Sequence, residues 1–150
     1  MPRTPTACED ALKGNDVMER SQTQFFEQNG YVSLGKVLSD SEVQSYTEAY
    51  DRDREDFGYL WSGYNHHQSI NCDALISWPE VDGLIRHPDI LGPIESLMGE
   101  PVCFSEVCVR HMGSYEGEIR HGWHRDRPHD DSRKWRMPYI QSMIYLTDVD

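Results

Sequence analysis

No run of apolar residues in this 150-residue chain approaches the roughly 18 that suggest a membrane span. Residues 1–16 are polar and lack the apolar stretch of a secretory signal. Basic residues are scarce: 14 Lys and Arg against 26 Asp and Glu give a formal net charge of −12. Phosphate contacts need clustered Lys and Arg, and no such stripe is present, so neither nucleic acid nor a membrane is an expected partner. Only four cysteines occur, Cys8, Cys72, Cys103 and Cys108, with no C-x-x-C pair and no zinc-ribbon spacing. Free thiols are expected, with Cys103 and Cys108 packed as small hydrophobes in an apolar stretch. Hydrophobic residues reach only 37%, but an aromatic content of 11% separates the chain from disordered sequences. The expectation is one soluble domain of the cytoplasm, long enough to bury a sizeable core.

The chain reads as three stretches. Residues 1–17, with two prolines and little apolar content, are expected to be a mobile tail, leaving 18–150 as the domain. Residues 18–99 carry helical signals. A helix over 22–28 stops at Asn29-Gly30, and 31–34 follows as a short strand. Ser39 and Glu42 have the spacing of a capping box, opening a helix that ends near Phe57 with Val43, Tyr46 and Tyr50 on one face. Its charged run at 51–56 is expected to be solvated. Residues 58–73 lack periodicity and read as a loop, and 81–85 as a helical turn. Residues 88–98 are helical, with Gly99 ending the helix and Pro93 expected to kink or divide it. From Pro101 the pattern turns to strands: 102–109 is β-rich, and 138–149 alternates, with Ile140, Ser142, Ile144 and Leu146 opposite Tyr139, Gln141, Met143 and Tyr145.

Chemistry concentrates at Gly122-Trp123-His124-Arg125-Asp126. On an extended strand, His124 and Asp126 project from the same face. An imidazole and a carboxylate so placed supply two corners of a 2-His-1-carboxylate facial triad. The triplet alone is weak, since a surface His and Asp near a turn share the spacing. It also spells the catalytic-loop triplet of protein kinases, but Asp131 stands where a kinase has its magnesium-binding Asn, and no Gly-rich phosphate loop precedes it. The kinase reading is therefore excluded.

Four motifs in order set the context. They are Phe25-Phe26-Glu27-Gln28-Asn29-Gly30-Tyr31-Val32, Val37-Leu38-Ser39-Asp40-Ser41-Glu42-Val43, Trp123-His124-Arg125-Asp126 and Tyr145-Leu146-Thr147-Asp148-Val149-Asp150. Together they resemble the phytanoyl-CoA dioxygenase family of iron(II)- and 2-oxoglutarate-dependent oxygenases. The resemblance implies an α+β architecture, a double-stranded β-helix (jelly-roll) core preceded by a helical N-terminal half. It implies Fe(2+) held by His124 and Asp126, with 2-oxoglutarate as co-substrate and hydroxylation of a C–H bond in a small-molecule substrate. Tyr139, Gln141 and Met143, flanking the metal strand, are candidate contacts for 2-oxoglutarate.

In this family a second ligand histidine and a basic residue that pairs with 2-oxoglutarate follow the last of these motifs. This chain ends at Asp150 before either, and the roughly 50 residues after Gly99 are too few for eight strands of about 5–6 residues plus turns. The expectation is an incomplete jelly roll, a fragment inactive by itself. His121 and His129 are poor substitutes for the missing ligand: the first faces the other side of a continuous strand and the second lies in a polar loop. The adjacent His66 and His67 read as surface, and His87 as structural at a helix start. Trp123 is expected to shield the ligand strand, Trp61, Trp78 and Trp135 to pack, and Arg125 to face outward. The competing reading is a non-catalytic binding or interaction module that keeps the N-terminal half of the oxygenase fold.

Overall fold

The computed structural model describes residues 18–64, 67–114, 116–117 and 139–148. The expected tail at 1–17 lies outside the described residues, as do His66, His121, Trp123, His124, Arg125, Asp126, His129 and Trp135. The chain divides into two compact units, Met1–Ser39 with Gly83–Cys103, and Asp40–Asp82 with Phe104–Asp150. No helix among the described residues is long and apolar enough to cross a membrane.

In the first unit, α1 spans Arg20–Asn29. At its start the Glu19 backbone N–H donates to Gln22 Oε1 at 3.2 Å, which satisfies a donor at the helix end. Gly30, at φ 78°, closes it by donating its N–H to the Phe26 carbonyl at 2.7 Å. Phe25 and Tyr31 then meet edge to face, centroids 5.3 Å apart, across that turn. The strand expected at 31–34 does not form: it has no strand partner among the described residues. The helix α5 spans Pro88–Met98. His87 precedes it and accepts the Asp89 N–H on Nδ1 at 3.3 Å, the structural role read from the sequence. Pro88 occupies a position where its missing N–H costs nothing. Pro93 lies inside α5 without dividing it, because one absent N–H removes one hydrogen bond, here to the exposed Asp89. Gly99, at φ 72°, ends it. The buried side chains of this unit are Met18, Leu38, Leu84 and Ile90.

The second unit is built on α2, Asp40–Asp56, whose first turn carries Asp40 and Glu42, matching the helix dipole there, and whose last turn sets Arg54 among Asp53, Glu55 and Asp56. A single 3-10 turn, Gly58–Leu60, leads into β1, Ser62–Tyr64, and β2, Gln68–Asn71. The expected loop at 58–73 is thus largely an antiparallel hairpin. Short helices α3, Ala74–Ser77, and α4, Val81–Ile85, follow, the latter running across the boundary between the units. The third strand among the described residues is β3, Val109–Met112.

These strands make one antiparallel sheet in the order β1-β2-β3. Gln68 pairs with Tyr64 on one side and Met112 on the other, and Asn71 pairs with Val109. Strand alternation then places Tyr64, Ile70, Arg110 and Met112 on one face, and Ser69, Asn71, Val109 and His111 on the other. Arg110 stacks its guanidinium over Tyr64, 5.1 Å from the ring centroid. The strand expected over 102–109 begins only at Val109, the first residue there with a partner across the ladder. β-forming side chains do not make a strand without one. Cys103 and Cys108 are accordingly exposed rather than packed. Residues 139–148 form no strand, yet their burial still alternates: Ile140, Ile144 and Leu146 are half-buried and the residues between them exposed. The architecture is mixed helix and small antiparallel sheet, compatible with the expected α+β class.

Candidate functional site

Five residues of α2 and its flank fall on one helical stripe: Val43, Tyr46, Tyr50, Asp53 and Phe57, at alternating spacings of three and four. Two of them meet the Asn71 and His111 face of the sheet. Tyr50 stands at the centre, its ring edge-on to Trp61 at 5.6 Å and to Trp78 at 6.4 Å, and stacked on His111 at 6.3 Å. Tyr46 adds a further edge contact to Trp78 at 6.3 Å. Trp78 is 2% exposed and packs as expected.

The polar atoms of this cluster are ordered by their donors. Arg54 Nη1 donates to the Tyr50 hydroxyl at 3.3 Å, and its guanidinium lies 5.3 Å from the Trp61 ring centroid. With that oxygen accepting from Arg54, the Tyr50 proton is free to donate to His111 Nδ1, 2.7 Å away. A neutral His111 that accepts this bond on Nδ1 carries its own proton on Nε2. Burial pushes the Tyr50 hydroxyl above its ordinary range, against the smaller opposing influence of Arg54. Burial, followed by the Arg54 charge, lowers the pKa of His111, with Asp51 opposing.

The folded protein keeps His111 neutral in a window where the unfolded chain, titrating at 6.5, has already bound a proton. This contribution to stability is present above that pH and is lost as pH falls below it. His111→Asn, which retains an acceptor without titrating, should flatten this part of the profile. Urea midpoints of the two proteins between pH 7.5 and about 5 measure it. A variant profile parallel to the parent's would show that His111 does not contribute.

A second, more deeply buried cluster centres on Asp53 and Asn71. Asp53 is 3% exposed and Asn71 0%. Asp53 Oδ2 accepts from Trp61 Nε1 at 2.9 Å and from Asn71 Nδ2 at 3.0 Å. Asn71 Nδ2 also donates to Ser77 Oγ at 3.0 Å, while Asn71 Oδ1 accepts the Asp73 backbone N–H at 2.9 Å. The expectation that the whole 51–56 run is solvated thus fails at Asp53. The signal that locates it was present: Asp53 falls three residues after Tyr50, on the packed stripe.

These clusters bind and orient; they do not assemble a metal site. Among the described residues, no group of three or more His, Cys, Asp or Glu side chains is placed to hold a metal ion. The ligand candidates His124 and Asp126 lie outside the described residues. Tyr139, Gln141 and Met143, the candidate co-substrate contacts, are all exposed, and Met143 Sδ accepts a hydrogen bond from the Tyr145 hydroxyl at 2.8 Å. Sequence reasoning missed the Tyr50–His111 pair because its members are 61 residues apart and only strand pairing brings them together.

Comparison with known proteins gives one finding. A family model described as phytanoyl-CoA dioxygenase matches residues 26–150, a span that includes Trp123-His124-Arg125-Asp126. No curated protein and no solved structure matches the chain.

Proposed function

The chain belongs to the phytanoyl-CoA dioxygenase family, and from that membership we propose that it serves as an iron(II)- and 2-oxoglutarate-dependent oxygenase hydroxylating a C–H bond of a small molecule. The observation that carries the reading is the family match running through His124 and Asp126. Their chemistry fits the metal: an imidazole and a carboxylate are the donor types of the non-haem iron(II) facial triad, and a two-residue spacing on a strand turns both to one side.

In this reading His124 and Asp126 hold iron(II), and the sheet β1-β2-β3 belongs to a jelly-roll core. When bound, the metal supplies oxygen activation, coupled to oxidative decarboxylation of 2-oxoglutarate. The chain's own residues orient and exclude. Trp123, beside the first ligand, keeps water from it. Tyr139, Gln141 and Met143 contact 2-oxoglutarate. The Tyr50, Arg54 and His111 cluster holds β3 against α2, and it fixes the strand from which the chain proceeds toward the ligand segment. The substrate is a small molecule of the cytoplasm, taken up by loops.

The test is succinate formation from 2-oxoglutarate by the protein expressed over its whole reading frame, with oxygen uptake followed in parallel. Turnover that requires added iron(II) and stops with a chelator supports the proposal. Stoichiometric iron binding with no 2-oxoglutarate consumption above an iron-only control would leave a binding module instead.

A further inference from the structure

The last paired residues of β2 and β3 are Asn71 and Val109, and the same register carried one position past the strand ends would set Cys72 opposite Cys108. Their sulfurs are 3.7 Å apart, with the Cys72 thiol directed at Cys108 Sγ. Both residues are exposed, and both thiols are free. Residues opposite one another on antiparallel strands have Cα atoms about 4.5–5.5 Å apart, inside the range of about 4.4–6.8 Å that a disulfide spans. Bond formation needs the sulfurs to close by less than about 2 Å, which side-chain rotation provides. Neither the candidate metal ligands nor the Tyr50 and Asp53 clusters use these side chains.

We infer that Cys72 and Cys108 form a redox-modification site that closes to an intramolecular disulfide when the protein meets a small, uncharged disulfide. The step balances without any further reagent. One protein thiolate attacks a sulfur of the reagent, breaking its S–S bond and releasing one half as a thiol that takes up a proton. The second protein thiolate then attacks the mixed disulfide, forming the Cys72–Cys108 bond and releasing the other half, also protonated. Two protein thiols are oxidised, one reagent disulfide is reduced to two thiols, and two protons pass from protein to leaving groups.

The preference for an uncharged reagent follows from the surroundings. Partial desolvation of the thiol, the Cys108 contact, and the carboxylates of Asp73 and Glu106 all push the Cys72 thiol above its ordinary range. The same carboxylates repel an anionic oxidant such as glutathione disulfide, in a chain whose formal charge is already −12. Closure is accordingly slow at neutral pH and accelerates as pH rises and the thiolates form.

Closure ties two residues 36 positions apart. The loop entropy removed from the unfolded chain should raise Tm by roughly 5–15 °C. The experiment treats the protein with hydroxyethyl disulfide or with glutathione disulfide, quenches with acid, and maps peptides by mass. The expected result is a Cys72–Cys108 linked peptide, a mass lower by two hydrogen atoms, and the rise in Tm. Cys72→Ser should lose all three, and Cys103→Ser should keep them. The neutral reagent should act several-fold faster at low salt, with the gap narrowing as salt is added. Mixed disulfides without the linked peptide, or linkage only to Cys103 or between chains, would overturn the site. Equal rates for the two reagents at every salt concentration would overturn the electrostatic preference.

Discussion

Replacing His124 or Asp126 with Ala should lower 2-oxoglutarate-coupled turnover by more than about 100-fold, beyond the 10–100-fold typical of losing a group that only orients a ligand. Iron(II) sits low in the affinity order of first-row divalent metals, so a site deprived of one donor is not rescued by the strength of the others. Each variant should also lose iron on dialysis against a weak chelator, a readout that does not depend on the substrate's identity. Melting in the absence of metal should match the parent and so separate ligand loss from unfolding. Arg125→Ala, whose side chain an extended backbone would turn away from both, should retain both iron and turnover. Near-normal turnover with full iron in both ligand variants would show that the metal is held elsewhere.

The other large effect is on stability. Asp53→Ala should destabilise the protein by about 2–4 kcal/mol, because two donors, Trp61 Nε1 and Asn71 Nδ2, are left without their acceptor in the interior. The loss is moderated by Asp53 Oδ1, which is buried with no hydrogen-bond partner among the described residues and whose removal relieves a desolvation cost. Glu55→Ala, two residues away but exposed, should change stability by no more than about 0.5 kcal/mol. Urea unfolding of the two variants gives the comparison directly. The double variant with Asn71→Ala should fall short of additivity by about 0.5–3 kcal/mol, since both changes remove the same hydrogen bond. Equal, small effects at Asp53 and Glu55 would mean that the buried carboxylate stabilises nothing.

The contrast between these two carboxylates shows what was legible in the chain. Helices α1, α2 and α5 are local objects, marked by apolar spacing and by stops such as Gly30 and Gly99, and the sequence locates each of them within a few residues. The hairpin from Ser62 to Asn71 is not local in that sense. Its strands have three and four residues, too few to display a period of two, and residues 58–73 show no periodicity. β3 shows the converse error: Val102, Phe104 and Val107 advertise a strand, but pairing with β2 decides where the ladder runs. Asp53 was hidden in a run of six charged residues, 51–56, of which the helix buries only one. Of the site, the His124 and Asp126 pair was readable as a motif, and the family match encloses it. The Tyr50–His111 contact was not readable, because nothing in either neighbourhood refers to the other.

Asn71 has all three of its side-chain hydrogen-bonding atoms committed: its oxygen to a backbone donor and both amide hydrogens to Asp53 and Ser77. It can neither rotate its amide nor be exchanged for a neighbour without breaking several bonds at once. Suppose β2 slid by one residue along β3. Ile70 or Cys72 would then enter the place opposite the Asp53 carboxylate, and neither has an amide to offer. Either one-residue slip of this short strand thus leaves the buried Asp53 side chain without its amide donor, while the observed alignment supplies it. A single side chain acts here as the key that fits the sheet to one setting, and that setting brings His111 onto Tyr50 and stands Cys72 against Cys108.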